Sequence, residues 1–137
     1  MKKIWGIIII IIFVFFLDFI TEKHTNNTIS EITRKLEELN DSIEESYEEG
    51  KYYIDKDNSQ KNIEISNEIL ELWRKKDNVL SFYIEHDEIE KVSDKINTFN
   101  KEIETRNYTD AVVDIIEAEF LLNHITEKQS LSLKNIF

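Results

Sequence analysis

The sequence predicts an all-α protein in which an N-terminal transmembrane helix is followed by an antiparallel three- to four-helix bundle. Three observations support this fold class. The chain of 137 residues contains no proline and only two glycines, whereas sheets and tight turns use both residue types at reversals. Its first twenty residues are almost entirely apolar. In most of the remainder, apolar residues recur at intervals of three and four, which is the period of an amphipathic helix.

The apolar segment 4–20 is the first predicted element. It is interrupted only by Asp18 and, as a helix, covers roughly 25 Å, which is near the lower limit for a bilayer core. A cleavable signal peptide ends in small residues, but nothing small follows this run before Thr21. We therefore expect residues 1–21 to form an uncleaved signal anchor in the cell membrane. The two lysines before the segment favour a cytoplasmic N-terminus and an extracytoplasmic bundle.

The composition excludes several classes of function. The formal net charge is −11 at pH 7, so the bundle offers no basic surface to nucleic acid and should not adhere to anionic lipid. The absence of cysteine excludes disulfides, thiolate catalysis and cysteine-ligated zinc. Two glycines cannot form a glycine-rich phosphate loop. We predict a protein that is not an enzyme and that uses no cofactor.

Residues 22–28 form a polar spacer, and the bundle is predicted over 29–137. The sequence Thr-Ile-Ser-Glu from Thr28 has the capping-box pattern, which predicts that a helix starts there. Gly50 lies on the seam of this helix and marks either its end or a close packing point. The seam suits a face inside the bundle; a homodimeric coiled coil is the alternative, although no other feature indicates a homo-oligomer. The seam comprises Ile29, Ile32, Leu36, Leu39 and Ile43.

Two further breaks divide the rest of the chain. The polar stretch 55–60 is the clearer one, and 105–109 is the next turn. Between them the pattern predicts either one helix over about 59–104 or a bend near 77–78 or 86–87. A last helix follows. The apolar residues of both regions are predicted to be core, including Val79, Leu80, Phe82, Tyr83 and Ile84 in the first and Val112, Ile115, Ile116, Phe120 and Leu121 in the second.

His86 is the most chemically suggestive residue, since it lies among four carboxylates in the sequence SFYIEHDEIE. It shares a helix face with Phe82 and Glu90, and this spacing favours a histidine partly buried at a helix contact. The alternative is a ligand- or divalent-metal-binding sensor domain in which His86, Glu90 and His124 converge. Acid/base catalysis is disfavoured, because the neighbouring carboxylates mostly face solvent.

Aromatic residues outside this stretch offer two further candidates. Trp73 has core spacing and is predicted to be packing, whereas the tyrosine-rich stretch 47–54 is the better candidate for a recognition surface.

Several spaced residues together resemble one protein family. They are Trp73, Lys75-Lys76, the pair His86-x-Glu88, the stretch YTDAVVDIIEAEFLLNHI and the terminal SLKNIF. The family comprises small, N-terminally membrane-anchored proteins of clostridia and related Firmicutes, catalogued as a domain of unknown function. Region 44–60 is longer here than the family's usual first connection. The positions that match the family pattern are Trp73, His86, Glu88, His124, Asn135 and Phe137.

This resemblance assigns no roles to those positions. It implies an anchor followed by a bundle, and it implies another membrane protein as the partner. We therefore expect a non-enzymatic accessory protein that is held at the cell membrane through residues 4–20 and acts by protein–protein contact.

Overall fold

The computed structural model describes residues 2–48 and 56–134, with side chains over 4–45 and 58–131. These residues form four α-helices and no strand, so the predicted all-α class is confirmed. The helices are α1 (Lys2–Glu48), α2 (Lys56–Leu80), α3 (His86–Glu104) and α4 (Tyr108–Lys134).

The four helices form a ring in which each packs against two neighbours, in the order α1, α2, α3, α4 and back to α1. Side-chain contacts show the direction of adjacent helices. Trp73 of α2 meets Ser93 of α3, and Asn100 further along α3 meets Ser66 earlier in α2, so this pair is antiparallel. The other pairs run the same way, which gives an up-down-up-down bundle of four helices.

The core follows the predicted apolar seams. The seam of α1 from Ile29 to Ile43 is buried along its whole length. Each of the other helices contributes its own stripe, so the apolar spacing read from the sequence specifies the packing face of every helix. The largest fully buried side chains are Trp73, Phe99, Ile32, Leu36, Leu39, Ile43, Ile69, Leu80, Ile96, Ile103, Ile115 and Leu122.

α1 is one continuous helix from the apolar segment into the bundle. The predicted helix start at Thr28 is therefore wrong, and the polar residues 22–28 are helical. No proline or glycine lies between Gly6 and Glu48, so helical hydrogen bonding continues through this stretch. Thr25 and Thr28 are buried against the other helices rather than placed at a cap. Gly50 lies outside the described residues, as does much of the tyrosine-rich stretch 47–54.

The N-terminal part of α1 does not belong to the bundle core. All side chains from Ile4 to Ile20 are exposed, although sixteen of the seventeen are apolar or glycine. By length and composition, α1 is the one helix within the described residues that could cross a membrane.

Two of the predicted breaks can be compared with the structure. The polar stretch 55–60 is not a break over most of its length, because α2 already begins at Lys56. The turn predicted at 105–109 is confirmed between Glu104 and Tyr108. Here Arg106 takes a left-handed conformation (φ 62°), and the amides of Arg106 and Asn107 donate to Ile103 and Glu102, which together form a Schellman motif.

The long second segment is broken by a turn at 81–85. α2 ends at Leu80 and α3 begins at His86, which is close to the predicted bend at 86–87. Of the residues around this turn that were predicted to be core, Leu80 and Ile84 are buried, whereas Val79, Phe82 and Tyr83 are exposed.

Candidate functional site: the outer face of α4

His86 does not lie where its spacing predicts. It is the first residue of α3 and is exposed, so the prediction that it is partly buried at a helix contact is wrong. Residues 81–85 form a turn, so the chain is not helical between Phe82 and His86. Phe82, His86 and Ile89 therefore do not lie together on one helix face. Ile84 fills the buried position instead.

The predicted metal ligands do not come together. His86, Glu90 and His124 are all exposed. Within the described side chains, no group of three or more His, Asp or Glu residues is close enough to hold one ion. A zinc ion would need its ligand atoms within about 2 Å of itself. The sensor hypothesis therefore has no support in the structure.

The carboxylates around His86 instead fix the turn to α4. Lys128 donates to Glu85 Oε1 at 2.8 Å and to Glu88 Oε1 at 3.0 Å. The hydrogen bonds that Lys128 donates to these two carboxylates raise the pKa of its ammonium group above its usual range. Glu85 lies in the turn and Glu88 in the first turn of α3, so Lys128 connects both to the last helix.

Trp73 is a packing residue, as its spacing predicts. Its side chain is 1% exposed, and its indole Nε1 donates to Ser93 Oγ at 2.8 Å. The Ser93 hydroxyl in turn donates to the Ile89 carbonyl. This chain of hydrogen bonds satisfies the buried indole N–H at the contact between α2 and α3.

α4 carries a second apolar face that the core does not use. Val113 and Ile116 are each 53% exposed, and Phe120 is 70% exposed. These residues step by three and four and point away from the buried stripe of Ala111, Ile115, Ala118 and Leu122. We call the complete row the outer seam. It comprises Val113, Ile116, Phe120, His124, Glu127 and Leu131, all of which are exposed.

A groove between α3 and α4 borders the outer seam. Phe120 and Leu121 form its apolar part. Its polar wall is an ion-pair cluster in which Lys95 of α3 donates to Asp114 Oδ1 at 2.7 Å and also pairs with Glu117. These two carboxylates raise the pKa of Lys95 above its usual range. The remaining lining residues are Lys91 and Asp94.

Comparison with known families identifies the chain. The family described as a domain of unknown function, DUF4363, matches residues 24–136. The chain belongs to this family. The match begins beyond the apolar segment 4–20 and covers the part of α1 that lies in the bundle together with α2, α3 and α4. No curated protein and no solved structure matches the chain.

The structure gives physical roles to some of the residues that resemble the DUF4363 pattern. Trp73 packs the core, Glu88 accepts from Lys128, and His124 lies in the outer seam. His86 starts α3 and is exposed. The other two positions, Asn135 and Phe137, lie outside the described residues.

The DUF4363 bundle also contains a carboxyl group in an unfavourable position, which predicts a pH dependence of stability. Partial burial raises the pKa of Glu119, and the negative charges of Glu37 and Asp41 on α1 raise it further. The folded state therefore binds this proton more tightly than the unfolded state. Its ionised form destabilises the bundle at neutral pH, and the penalty disappears as the pH falls through the raised folded pKa.

We expect Glu119→Gln to raise the free energy of unfolding at pH 7 by a few tenths of a kcal/mol, because solvent screens the three charges. The advantage over the wild type should shrink as the pH is lowered towards the ordinary range of a glutamate. Denaturant titrations at several pH values measure this difference. Glu31→Gln removes an exposed charge from α1 and serves as the control; an equal effect of both variants would contradict the prediction.

Proposed function

We propose that this chain is a non-enzymatic accessory protein that binds the extracytoplasmic part of another membrane protein through the outer seam of α4. In this proposal the apolar segment of α1 crosses the cell membrane once, with the N-terminus in the cytoplasm. The observation that carries the proposal is the row of exposed apolar side chains along α4.

The outer seam is an unusual feature for a helix at a protein surface. A surface helix normally has one apolar face and one polar face, whereas α4 is apolar on both. Exposed apolar side chains that are contiguous, rather than scattered singly, mark sites of protein interaction. The spacing of three and four is the spacing that a partner helix recognises when it packs along a seam.

Charge around the outer seam indicates the chemistry of the partner. Glu117 borders it and Glu127 lies within it, and both are exposed. A partner with an apolar ridge flanked by lysine or arginine would complement this surface. A second copy would bring its own carboxylates against these and would add a repulsion between two chains of net charge −11. The surface therefore favours a different protein over a homodimer.

The position of the outer seam sets a requirement on the partner. Glu119 lies beside Glu37 and Asp41 of α1, so Phe120 is level with approximately residue 37 of that helix. Residue 37 is seventeen residues beyond Ile20, which places Phe120 about 25 Å from the end of the apolar segment along α1. The partner must have a part outside the bilayer that reaches this height.

A photo-crosslinking amino acid at Ile116, in the full chain in its own membrane, tests the proposal. We expect an adduct with one multi-span membrane protein. Phe120→Asp should lower its yield at least about tenfold, because a carboxylate buried in an apolar contact costs more than the ~1.4 kcal/mol of a tenfold change.

Thr98→Asp provides a matched control for this change. It adds the same charge at an exposed position on α3, outside the outer seam, and should leave the yield unchanged. An adduct of twice the mass of the chain would show a homodimer and refute the proposal, as would an adduct that Phe120→Asp does not reduce.

A further inference from the structure

The turn between α2 and α3 displays two aromatic side chains on a rigid support. Phe82 is 82% exposed and Tyr83 is 48% exposed. The backbone beneath them is fixed, since the amides of Tyr83 and Ile84 both donate to the Leu80 carbonyl at 2.9 Å. Leu80 and Ile84 are buried on either side, and Lys128 binds Glu85 at the end of the turn. The two rings are therefore presented to the surroundings by a turn that is anchored in the core.

Contacts between α1 and α2 give the height of this turn. Lys35 of α1 donates to Glu68 of α2 at 2.7 Å, so these two residues are approximately level. Leu80 lies twelve residues beyond Glu68, about 18 Å further along α2. Because the helices are antiparallel, the same distance along α1 leads back to approximately Lys23. By this contact Phe82, two residues further, is level with about residue 21.

A second route runs through α4, where Lys128 binds Glu85 of the turn and lies nine residues beyond Glu119, which is level with residues 37–41. This route places the turn level with about residue 30, so the turn lies between roughly 2 and 15 Å beyond Ile20 along α1.

The end of the apolar segment lies close to the lower end of this range. Segment 4–20 spans roughly 25 Å as a helix, whereas a bilayer core is about 30 Å thick. If the apolar core begins near Ile4, its other boundary lies a few ångströms beyond Ile20, within the range of heights given for the turn. Trp5 lies near the opposite boundary, where interfacial aromatic residues are enriched.

We propose that the turn at 81–84 inserts Phe82 and Tyr83 into the interfacial layer of the same membrane that holds α1. Tyrosine suits this layer, because its ring is apolar and its hydroxyl can remain hydrated. Glu85 and Asp87 follow the turn and are exposed, so the contact depends on apolar burial and does not require anionic lipid.

This contact would give the bundle a second point of attachment. A bundle held only by α1 can rotate about that helix and tilt with it. With the turn also in the interface, the bundle keeps one face towards the bilayer and holds the outer seam of α4 in a constant direction. The inference rests on the proposed crossing of the membrane by α1 but not on the proposed partner.

Tryptophan fluorescence in the full chain tests the contact. The parent variant carries Trp5→Phe, which removes the emission of the membrane segment and leaves the buried Trp73 as a constant background. In this parent, Phe82→Trp is compared with Phe120→Trp, which places the new ring at a similarly exposed position on the bundle surface. Both are reconstituted in vesicles of zwitterionic phosphatidylcholine with acyl chains brominated close to the headgroup.

The emission of the new tryptophan is the emission above the Trp73 background of the parent. We expect brominated lipid to quench about half or more of it in the Phe82→Trp variant, since an interfacial ring touches the upper part of the acyl chains. Its emission should also shift to the blue, and neither effect should depend on added anionic lipid. The Phe120→Trp variant should be neither quenched nor shifted. Equal quenching of the two variants overturns the proposal. A blue shift without quenching also overturns it, because the ring would then be covered by protein rather than lipid.

Discussion

Trp73→Ala should lower the free energy of unfolding of the bundle by about 3–5 kcal/mol, the usual cost of truncating a large aromatic residue in a core. Trp73 is among the largest fully buried side chains and fills the contact between α2 and α3. The change removes its packing and leaves the Ser93 hydroxyl without the indole N–H. A domain of this size has a total stability of about 5–15 kcal/mol, so the variant loses a large share of it.

Urea titration of the full chain in detergent, followed by the helical circular dichroism signal, measures this loss. Ser93→Ala isolates the hydrogen bond, because it leaves the buried indole N–H unpaired at a cost of about 1–3 kcal/mol. Trp73→Phe retains most of the packing and should fall between the wild type and Trp73→Ala. If Trp73→Ala cost less than about 1 kcal/mol, Trp73 could not be a central packing residue of this bundle.

The sequence predicts the core well where the apolar pattern is narrow. In α1, every third or fourth residue from Ile29 to Ile43 is apolar and the positions between them are mostly polar, so only one face can be buried. The absence of proline and the scarcity of glycine similarly lead to long helices with short connections. The resemblance to a family of unknown function is also confirmed, since the DUF4363 match covers residues 24–136.

Helix starts were less predictable, because a local signal competes with the structure around it. The capping-box pattern at Thr28 is sufficient to start a helix in isolation. Here the preceding apolar segment is already helical, and continuing that helix satisfies the same backbone groups without a cap. Thr28 is therefore buried at 3% exposure in the middle of α1.

The candidate site was missed for a related reason. Ile116 and Phe120 were assigned to the core with the other apolar residues of the last helix, but both lie in the outer seam. Their spacing relative to Ile115 and Leu122 contained the signal, since one helix face cannot hold all four. Sequence alone could show that α4 has two apolar faces. Only the packing of the other three helices decides which of the two is left exposed.

A polar residue in the core provides the second large prediction. Asn62 of α2 is completely buried, and within the described part of the chain neither end of its amide has a hydrogen-bond partner. A buried amide without partners costs about 1–3 kcal/mol of desolvation. Asn62→Leu keeps the number and branching of the side-chain heavy atoms and removes that cost. We expect it to raise the free energy of unfolding by about 1–3 kcal/mol in the same urea titration.

Asn100→Leu is the matched control, because it makes the same change at a buried asparagine on α3 that does have hydrogen-bond partners. The Asn100 amide donates to Ser66 Oγ at 2.8 Å and to Asn67 Oδ1 at 3.0 Å. Its removal leaves the buried Ser66 hydroxyl without this donor and should destabilise the bundle by about 1–3 kcal/mol. Opposite signs for the two variants would show that hydrogen bonding, rather than polarity alone, determines the cost of a buried asparagine here. If Asn62→Leu were also destabilising, the Asn62 amide would have a hydrogen-bond partner in the folded protein, and the prediction would be wrong.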